Sequence, residues 1–238
     1  MPRLLPARTP LGERRAARLL RGSLDALIAA TLAPACAACH APLDAPLHGC
    51  VCPACWGTIV PASLPTWSSA YITAGVSSGR YEAALRDVIH AFKYEGRRSL
   101  AAPLASLMRE TGQRVLDGCD CAVPVPLHPW RRLRRGFNQA RDLAERLDRP
   151  VADALWRIRV TPSQMALPAG ARRTNLRGAF MISPFCGRGA PLYVAPIRDR
   201  VVVLVDDVRT TGATLDECAK VLLRGGAREV RALTVALA

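Results

Sequence analysis

Aromatic and acidic side chains are both scarce in this sequence. Phe, Trp and Tyr make up only 5% of the 238 residues, and 19 Asp and Glu stand against 33 Lys and Arg, a formal net charge of +14. The scarcity of rings disfavours a sequence-tolerant single-strand binder, since such proteins expose stacking rings among their basic residues. The excess of positive charge favours anionic partners: nucleic acid, phosphorylated metabolites or an acidic surface.

The sequence also lacks a long apolar run, an internal repeat and a low-complexity segment. The run at 24–32 is interrupted by Asp25 and Thr31 and falls far short of the ~20 residues that a membrane span needs. Apolar residues at helical spacing predict instead an amphipathic helix over about 12–32, in preference to an export signal. Residues 1–33 are therefore interpreted as a basic tail followed by this helix, with no membrane span.

Cysteine, in contrast, is plentiful: four of the nine cysteines form two Cys-x-x-Cys pairs, twelve residues apart, in "CAACHAPLDAPLHGCVCPACW". Two such pairs supply four thiolates that can close tetrahedrally around Zn²⁺. The predicted ligands are Cys36, Cys39, Cys52 and Cys55. His40, His48 and Cys50 lie in the same stretch as alternative ligands, although the doubled pair needs none of them.

A closed four-thiolate site has no open position for a substrate. Residues 34–62 are therefore predicted to be a small zinc-binding unit that serves folding or docking rather than catalysis. Thiols that serve a metal also favour a reducing cytoplasm over a disulfide-forming compartment.

Residues 70–238 alternate between strand and helix patterns. The predicted strands lie within 71–79, 120–129, 201–207 and 229–237, and the predicted helices cover 81–92, 100–116, 140–147 and 211–224. A weaker pattern over 156–180 predicts a short strand and a helical turn. Half of the residues are hydrophobic, which suits a folded chain. This alternation predicts an α/β domain with an open parallel sheet.

The stretch "VVVLVDDVRTTGAT", residues 201–214, joins a buried strand to a helix through two carboxylates and a short loop. We expect the strand to end at Asp206, so that backbone amides of the loop point outward at a helix N-terminus and form a phosphate site. The loop residues are Thr210, Thr211, Gly212, Ala213 and Thr214. Hydroxyls of the threonines add donors, and glycine permits close approach of the backbone.

The adjacent carboxylates Asp206 and Asp207 suit the hydroxyls of a sugar, bound directly or around Mg²⁺. The alternative is that the pair merely caps the helix. Capping needs one acceptor, whereas a second carboxylate adds repulsion without structural return. The motif therefore predicts a cradle for a sugar phosphate.

Basic residues elsewhere can complement such a site. Arg131, Arg132, Arg134 and Arg135 fall within five positions, a density that can neutralise a pyrophosphate or a stretch of DNA backbone. A solvated basic face is the alternative. Lys93, in "FKYEGR", can likewise reach a phosphate, or can extend from a helix end into solvent.

Residues 201–214 resemble the phosphoribosyl-pyrophosphate (PRPP) motif of type I phosphoribosyltransferases, in which the acidic pair binds ribose hydroxyls and the loop binds the 5-phosphate. With the double Cys-x-x-Cys, "FKYEGR", "PVPLHPWRRLRRGFNQA" and the Arg173/Asn175 segment, the chain resembles the ComF/GntX family over about residues 20–238. The resemblance implies the phosphoribosyltransferase fold: a parallel sheet, helices on both faces and a smaller hood. A longer loop at 183–199 and the basic tail depart from the family pattern.

The resemblance also implies roles for individual residues. It places the pyrophosphate loop at Val125, Pro126, Leu127 and His128, assigns a functional role to Arg135, whose neighbours Phe137, Asn138 and Gln139 match the family motif, and puts Arg173 and Asn175 in the hood. No acceptor pocket is recognisable in the sequence.

Two functions stay open at this point. The first is a PRPP-binding protein that uses Mg²⁺ and transfers phosphoribose to an unidentified nitrogen acceptor, a glycosyltransferase reaction. The second is a non-catalytic competence factor for DNA uptake, whose zinc unit and basic surface engage single-stranded DNA or a DNA-translocating helicase.

Overall fold

The computed structural model describes residues 23–25, 27–28, 30–31, 34–62, 66–128, 130, 133, 135–159, 176, 178–183 and 197–238. The described residues between 23 and 31 are helical, and the Asp25 carboxylate accepts a hydrogen bond of 2.7 Å from the Leu47 amide. Three arginines of the basic cluster and both predicted hood residues lie outside the described residues; they are Arg131, Arg132, Arg134, Arg173 and Asn175.

The described helices are α1 (Pro53–Gly57), α2 (Ala83–Tyr94), α3 (Ala101–Leu116), α4 (Gln139–Ala144) and α5 (Ala213–Arg224). The described strands are β1 (Thr66–Trp67), β2 (Ala74–Arg80), β3 (Cys121–Pro124), β4 (Leu155–Arg157), β5 (Phe180–Ile182), β6 (Val201–Arg209) and β7 (Glu229–Leu237). No helix in this part of the chain is both long and apolar enough to cross a membrane.

Five of these strands form one sheet in the order β1-β2-β7-β6-β3. Strands β2, β7, β6 and β3 run parallel, and only β1 is antiparallel. Strand β6 is an interior strand between β7 and β3, and its first five residues are fully apolar and buried, as expected for a parallel strand covered on both sides. The predicted open, mainly parallel sheet is confirmed. Strands β4 and β5 form a separate antiparallel ribbon.

Helices and the ribbon cover the two faces of the sheet. On one face, called the α2–α3 face, Phe92 and Leu104 pack in a core with Val203 and Val205. On the other, called the α5 face, residues of α5 and of the β4–β5 ribbon pack in a second core; they are Leu155, Phe180, Leu215 and Leu222, together with Val202 and Leu204 of β6. Side chains of β6 therefore alternate between the two cores.

The acidic pair lies within β6 and not at its end. We expected the strand to end at Asp206, but it continues to Arg209 because β7 extends alongside to Leu237 and supplies ladder partners. Asp206 pairs in register with Thr234. The helix that follows begins at Ala213, two residues later than expected.

The Cys-rich unit packs on the α2–α3 face. Its backbone closes on itself through a 2.8 Å hydrogen bond from the Ala37 amide to the Cys50 carbonyl. Ala37 belongs to the core formed with α2 and α3, and Trp56 packs against that core. Arg97, after α2, donates to the Ala35 carbonyl at 3.1 Å. Order in the Cys-rich unit is therefore coupled to the packing of the sheet domain.

Candidate functional site

A cleft of about 330 Å³ opens at the carboxyl ends of β3 and β6. It brings together most of the predicted ligand-binding residues: Lys93, Val125, Arg135, Asp206, Asp207, Thr210, Gly212, Ala213 and Thr214 line it. Pro126 and His128, also described, do not line it. The His128 ring instead accepts a hydrogen bond from the Trp130 amide at 3.2 Å. The structure thus gathers the acidic pair, the loop and two cations around one space, and leaves the histidine outside.

Lys93 neutralises one member of the acidic pair. Its Nζ lies 2.9 Å from Asp207 Oδ1, and the two side chains are only 16% and 13% exposed. Burial lowers the pKa of Lys93, but the Asp207 carboxylate beside it more than compensates, and the pKa stays above its usual value. Lys93 is therefore a fixed positive charge in the cleft.

Asp206 has a different environment. Burial and the neighbouring Asp207 charge raise the pKa of Asp206 to about 7, although a hydrogen bond of 2.8 Å from the Asp207 amide and the charges of Lys93 and Arg157 oppose that rise. Two neighbouring carboxylates that differ in this way cannot be equivalent. Near neutral pH, Asp206 shares its site with a proton, whereas Asp207 contacts the Lys93 ammonium.

The loop of the motif and the first turn of α5 line the cleft. Gly212 is the N-cap of α5, in the left-handed conformation at φ 80°, where a side chain would be strained. The Thr211 hydroxyl accepts a hydrogen bond of 3.4 Å from the Ala213 amide, so it serves the helix end and does not line the cleft. The start of a twelve-residue helix then faces the cleft with its positive dipole end.

Two residues of the "FNQ" stretch, Asn138 and Gln139, form hydrogen bonds to residues that line the cleft. Asn138 accepts from the Ala140 amide at 3.1 Å, which caps α4, and donates to the Val125 carbonyl at 3.2 Å. Gln139, 1% exposed, accepts from Arg135 at 3.3 Å and donates to the Lys93 carbonyl at 3.5 Å. These residues position ligand-facing groups without lining the cleft themselves.

Seven cleft residues were not predicted from the sequence, and four of them carry a ring or a charge: Tyr81, Tyr94, Arg157 and Arg209. The Arg135 guanidinium lies 4.8 Å from the centroid of the Tyr94 ring, and that of Arg209 lies 4.1 Å from the Trp67 ring. The sequence offered one usable signal, a basic residue inside the short apolar stretch "LWRI". The sequence does not show that Arg157 is buried and faces the cleft. Both features depend on how the β4–β5 ribbon packs.

The four predicted cysteine ligands also come together. Their sulfur atoms all lie within 4.8 Å of one another, and those of Cys39 and Cys52 are 3.8 Å apart. The second distance equals the edge of a tetrahedron with a Zn–S bond of about 2.3 Å. Cys50 points away and donates to the Ser99 hydroxyl at 2.9 Å. The cluster fits a zinc ion with a closed shell of four thiolates.

Several known proteins resemble this chain in sequence. A family model described as "Phosphoribosyl transferase domain" matches residues 133–238. DNA utilization protein YhgH of Escherichia coli (strain K12) is 35% identical over 169 residues, which cover 66% of this chain and 68% of that protein. Competence protein F of Haemophilus influenzae is 32% identical over 179 residues, which cover 70% of this chain and 72% of that protein. Competence protein ComFC of Bacillus subtilis is 31% identical, with 65% and 60% covered.

Among solved structures, an orotate phosphoribosyltransferase from Aeropyrum pernix has a TM-score of 0.35 and 17% identity, with 76% of this chain and 88% of that chain covered. An allosteric regulatory enzyme of purine biosynthesis has a TM-score of 0.37 and 20% identity, with 61% and 29% covered. The sequence relatives decide the family, since they match over two thirds of their own length at more than 30% identity. The chain belongs to the ComF/GntX family of type I phosphoribosyltransferase-like proteins.

Proposed function

We propose that the cleft binds PRPP with Mg²⁺ and that the protein transfers phosphoribose to a nitrogen acceptor. One observation carries this proposal: the acidic pair, the first residues of α5 and the cations Lys93 and Arg135 line a single cleft. Each part matches one part of the ligand. Amides at a helix N-terminus suit the 5-phosphate, carboxylates suit the ribose hydroxyls, and cations suit the pyrophosphate.

The donor set also fits Mg²⁺. This ion prefers carboxylate and phosphate oxygens and is usually held by one or two carboxylates together with substrate phosphates. Asp206 and Asp207 supply the carboxylates, and the ligand would supply the rest. When bound, the ion would neutralise charge on the departing pyrophosphate.

The proposed reaction breaks the bond between ribose C1 and a pyrophosphate oxygen, and pyrophosphate leaves with the electron pair. A lone pair of the acceptor nitrogen forms the new C1–N bond, and the nitrogen then loses its proton to solvent. Charge moves onto pyrophosphate as the bond breaks, and the fixed charges of Lys93 and Arg135 face that charge. The reaction needs positioned charges more than a covalent nucleophile, which agrees with a cleft that His128 does not line.

Calorimetric titration with PRPP and MgCl₂ tests the proposal. We expect saturable binding by the wild-type protein and none by the double variant Asp206→Asn/Asp207→Asn. The matched control is Asp87→Asn/Asp148→Asn, which removes the same charge from exposed positions. No saturable heat with the wild-type protein, or equal binding by the first double variant, would refute the PRPP site.

A second candidate function is supported by the surface beside the cleft. Trp130 and Leu133 are 67% and 78% exposed, within the arginine-rich stretch that leads into Arg135. We propose that this surface engages single-stranded DNA or a DNA-translocating helicase, as the names of the DNA utilization and competence relatives suggest. Phe137, the second ring of this stretch, is 7% exposed and packs 5.7 Å from Phe92, so Trp130 is the ring of the stretch that is available for stacking.

Single-stranded DNA binding measured over a range of salt tests this second function. Replacing the four clustered arginines with Gln should weaken binding and reduce the salt slope by up to about 0.7 for each lost phosphate contact. The residues changed are Arg131, Arg132, Arg134 and Arg135. A control with four substitutions at exposed or half-exposed positions, Arg80, Arg86, Arg224 and Arg228, removes the same charge. Equal slopes in the two variants would show that the cluster serves something else.

A further inference from the structure

Arg157 is a buried cation of the cleft that the PRPP motif does not account for. It is the last residue of β4, where Leu155 and Arg157 face inward and Trp156 faces outward. Arg157 is 8% exposed and lines the cleft, and its guanidinium lies 5.3 Å from the centroid of the Phe180 ring. Ring contact and burial together restrict the guanidinium to one region of the cleft.

The two cations Lys93 and Arg157 approach the acidic pair from opposite faces of the sheet. Lys93 follows Phe92, which packs on the α2–α3 face, whereas Arg157 belongs to the ribbon that packs on the α5 face. Side chains alternate along β6, so Asp207 lies on the α2–α3 face and Asp206 on the α5 face. Lys93 pairs directly with Asp207, whereas Asp206 lies within the field of both cations, Lys93 and Arg157.

The proposed reaction gives these two sides different chemical roles. In a substitution at ribose C1, the incoming nitrogen and the departing oxygen lie on opposite sides of the carbon, because the reacting orbitals must align. Lys93 and Arg135, proposed above to face pyrophosphate, approach from the α2–α3 side. The acceptor must then enter from the side of Arg157.

We propose that Arg157 is a specificity-determining residue that selects a small acceptor carrying a carboxylate close to its reacting nitrogen. A guanidinium presents a planar fork that matches a carboxylate through two parallel hydrogen bonds. The cleft, at about 330 Å³, lies at the small end of ligand sites, which favours a compact acid over an acceptor as large as a nucleotide. This inference rests on the proposed function and adds the acceptor class to it.

Matched pairs of acids and neutral analogues test the acceptor class. The wild-type protein is loaded with ribose 5-phosphate, which has no leaving group, and titrated with nicotinate against nicotinamide, orotate against uracil, and anthranilate against aniline. In at least one pair the acid should bind at least about tenfold more tightly, the usual worth of a hydrogen bond to a charged group. No preference for any acid in a wild-type protein that binds PRPP would overturn the inference and leave the proposed function standing.

Variants of Arg157 show whether this residue binds the acceptor or only positions Asp206. Arg157→Gln should remove the preference for the acid, and Arg157→Lys should retain part of it. The affinity for the acid should fall at least about tenfold more than the affinity for PRPP. Equal losses would show that Arg157 only positions Asp206, and would overturn the inference. Arg200→Gln, at a 49% exposed side chain, is the charge-matched control and should change neither affinity.

PRPP binding by the wild-type protein shows whether a negative result refutes the proposed function or only the acceptor class. Its absence would refute the proposed function and this inference together. Its presence without acid preference, or with equal losses in Arg157→Gln, would refute this inference alone.

Discussion

Lys93 Nζ lies 2.9 Å from Asp207 Oδ1, and this ion pair joins the end of α2 to the interior strand β6 inside the cleft. The pair is formed within the protein itself, so one carboxylate of the motif is neutralised before any ligand binds. Asp206 keeps its proton near neutral pH because it is buried and lies beside the Asp207 carboxylate, which together raise its pKa to about 7 even though the Lys93 charge opposes the rise.

Lys93→Met should weaken both the fold and the ligand site. Removing one partner of a buried ion pair leaves the other charge uncompensated, at a cost of about 3 kcal/mol in the free energy of unfolding. PRPP affinity should fall at least about tenfold, since a cation facing the pyrophosphate is lost. Urea unfolding and calorimetric titration measure the two effects. The chain's other lysine gives the control: Lys220→Met, in α5, should leave PRPP affinity unchanged.

Stability should respond to pH through Asp206. The pKa of Asp206 is about 7 in the folded chain, against the usual value near 4 when unfolded, so the folded state holds a proton that the unfolded state releases. Wild-type stability should therefore fall as pH rises from about 4 to 7, by no more than about 1.4 kcal/mol per pH unit from this group, and level off above.

Asp206→Asn removes that dependence, so the variant should gain stability relative to wild type as pH rises through the same range. Urea unfolding at several pH values measures the difference, with Asp87→Asn as an exposed control. Parallel profiles for wild type and Asp206→Asn would contradict the assignment.

Removing metal from the Cys-rich unit should destabilise the whole domain. The unit shares a core with α2 and α3 through Ala37, so loss of its order uncovers that core. We expect about one zinc ion per chain by elemental analysis, and a Tm lower by at least about 5 °C after chelation. Cys39→Ser should lose the metal, whereas Cys50→Ser should keep it, because Cys50 contacts Ser99 and lies outside the cluster. Full metal content in Cys39→Ser would argue against the four-cysteine site.

Gly212→Ala should impair ligand binding beyond its effect on stability. Gly212 has φ 80°, a conformation that costs an alanine about 1–2 kcal/mol. It belongs to the loop of the motif and lines the cleft. Gly118→Ala is the matched control: its φ is 67° with no atom within 4 Å of the added Cβ, and it lies outside the cleft. Both variants should lose similar stability by urea unfolding, and only Gly212→Ala should lose PRPP affinity, about tenfold or more. Equal affinities would show that the loop does not contact the ligand.

Much of the site was predictable from short stretches of sequence. Each Cys-x-x-Cys pair and the "DDVRTTGAT" loop place their residues within a few positions of one another, so local geometry alone keeps those side chains close. The parallel sheet was predictable for a similar reason, because fully apolar strands alternate with amphipathic helices. The exact end of β6 was not predictable, since it depends on how far the neighbouring β7 supplies hydrogen-bond partners.

The chemical groups of this protein can be read from its sequence: two Cys-x-x-Cys pairs, two adjacent carboxylates, a threonine and glycine loop, and an excess of arginine. Which of these groups meet depends on how the chain packs. Burial depends on contacts between distant segments, so only the packed ribbon shows that Arg157 faces the cleft, and only the packed core shows that Phe137 is structural while Trp130 is exposed. The division of Asp206 and Asp207 between two faces likewise requires helices on both sides of β6.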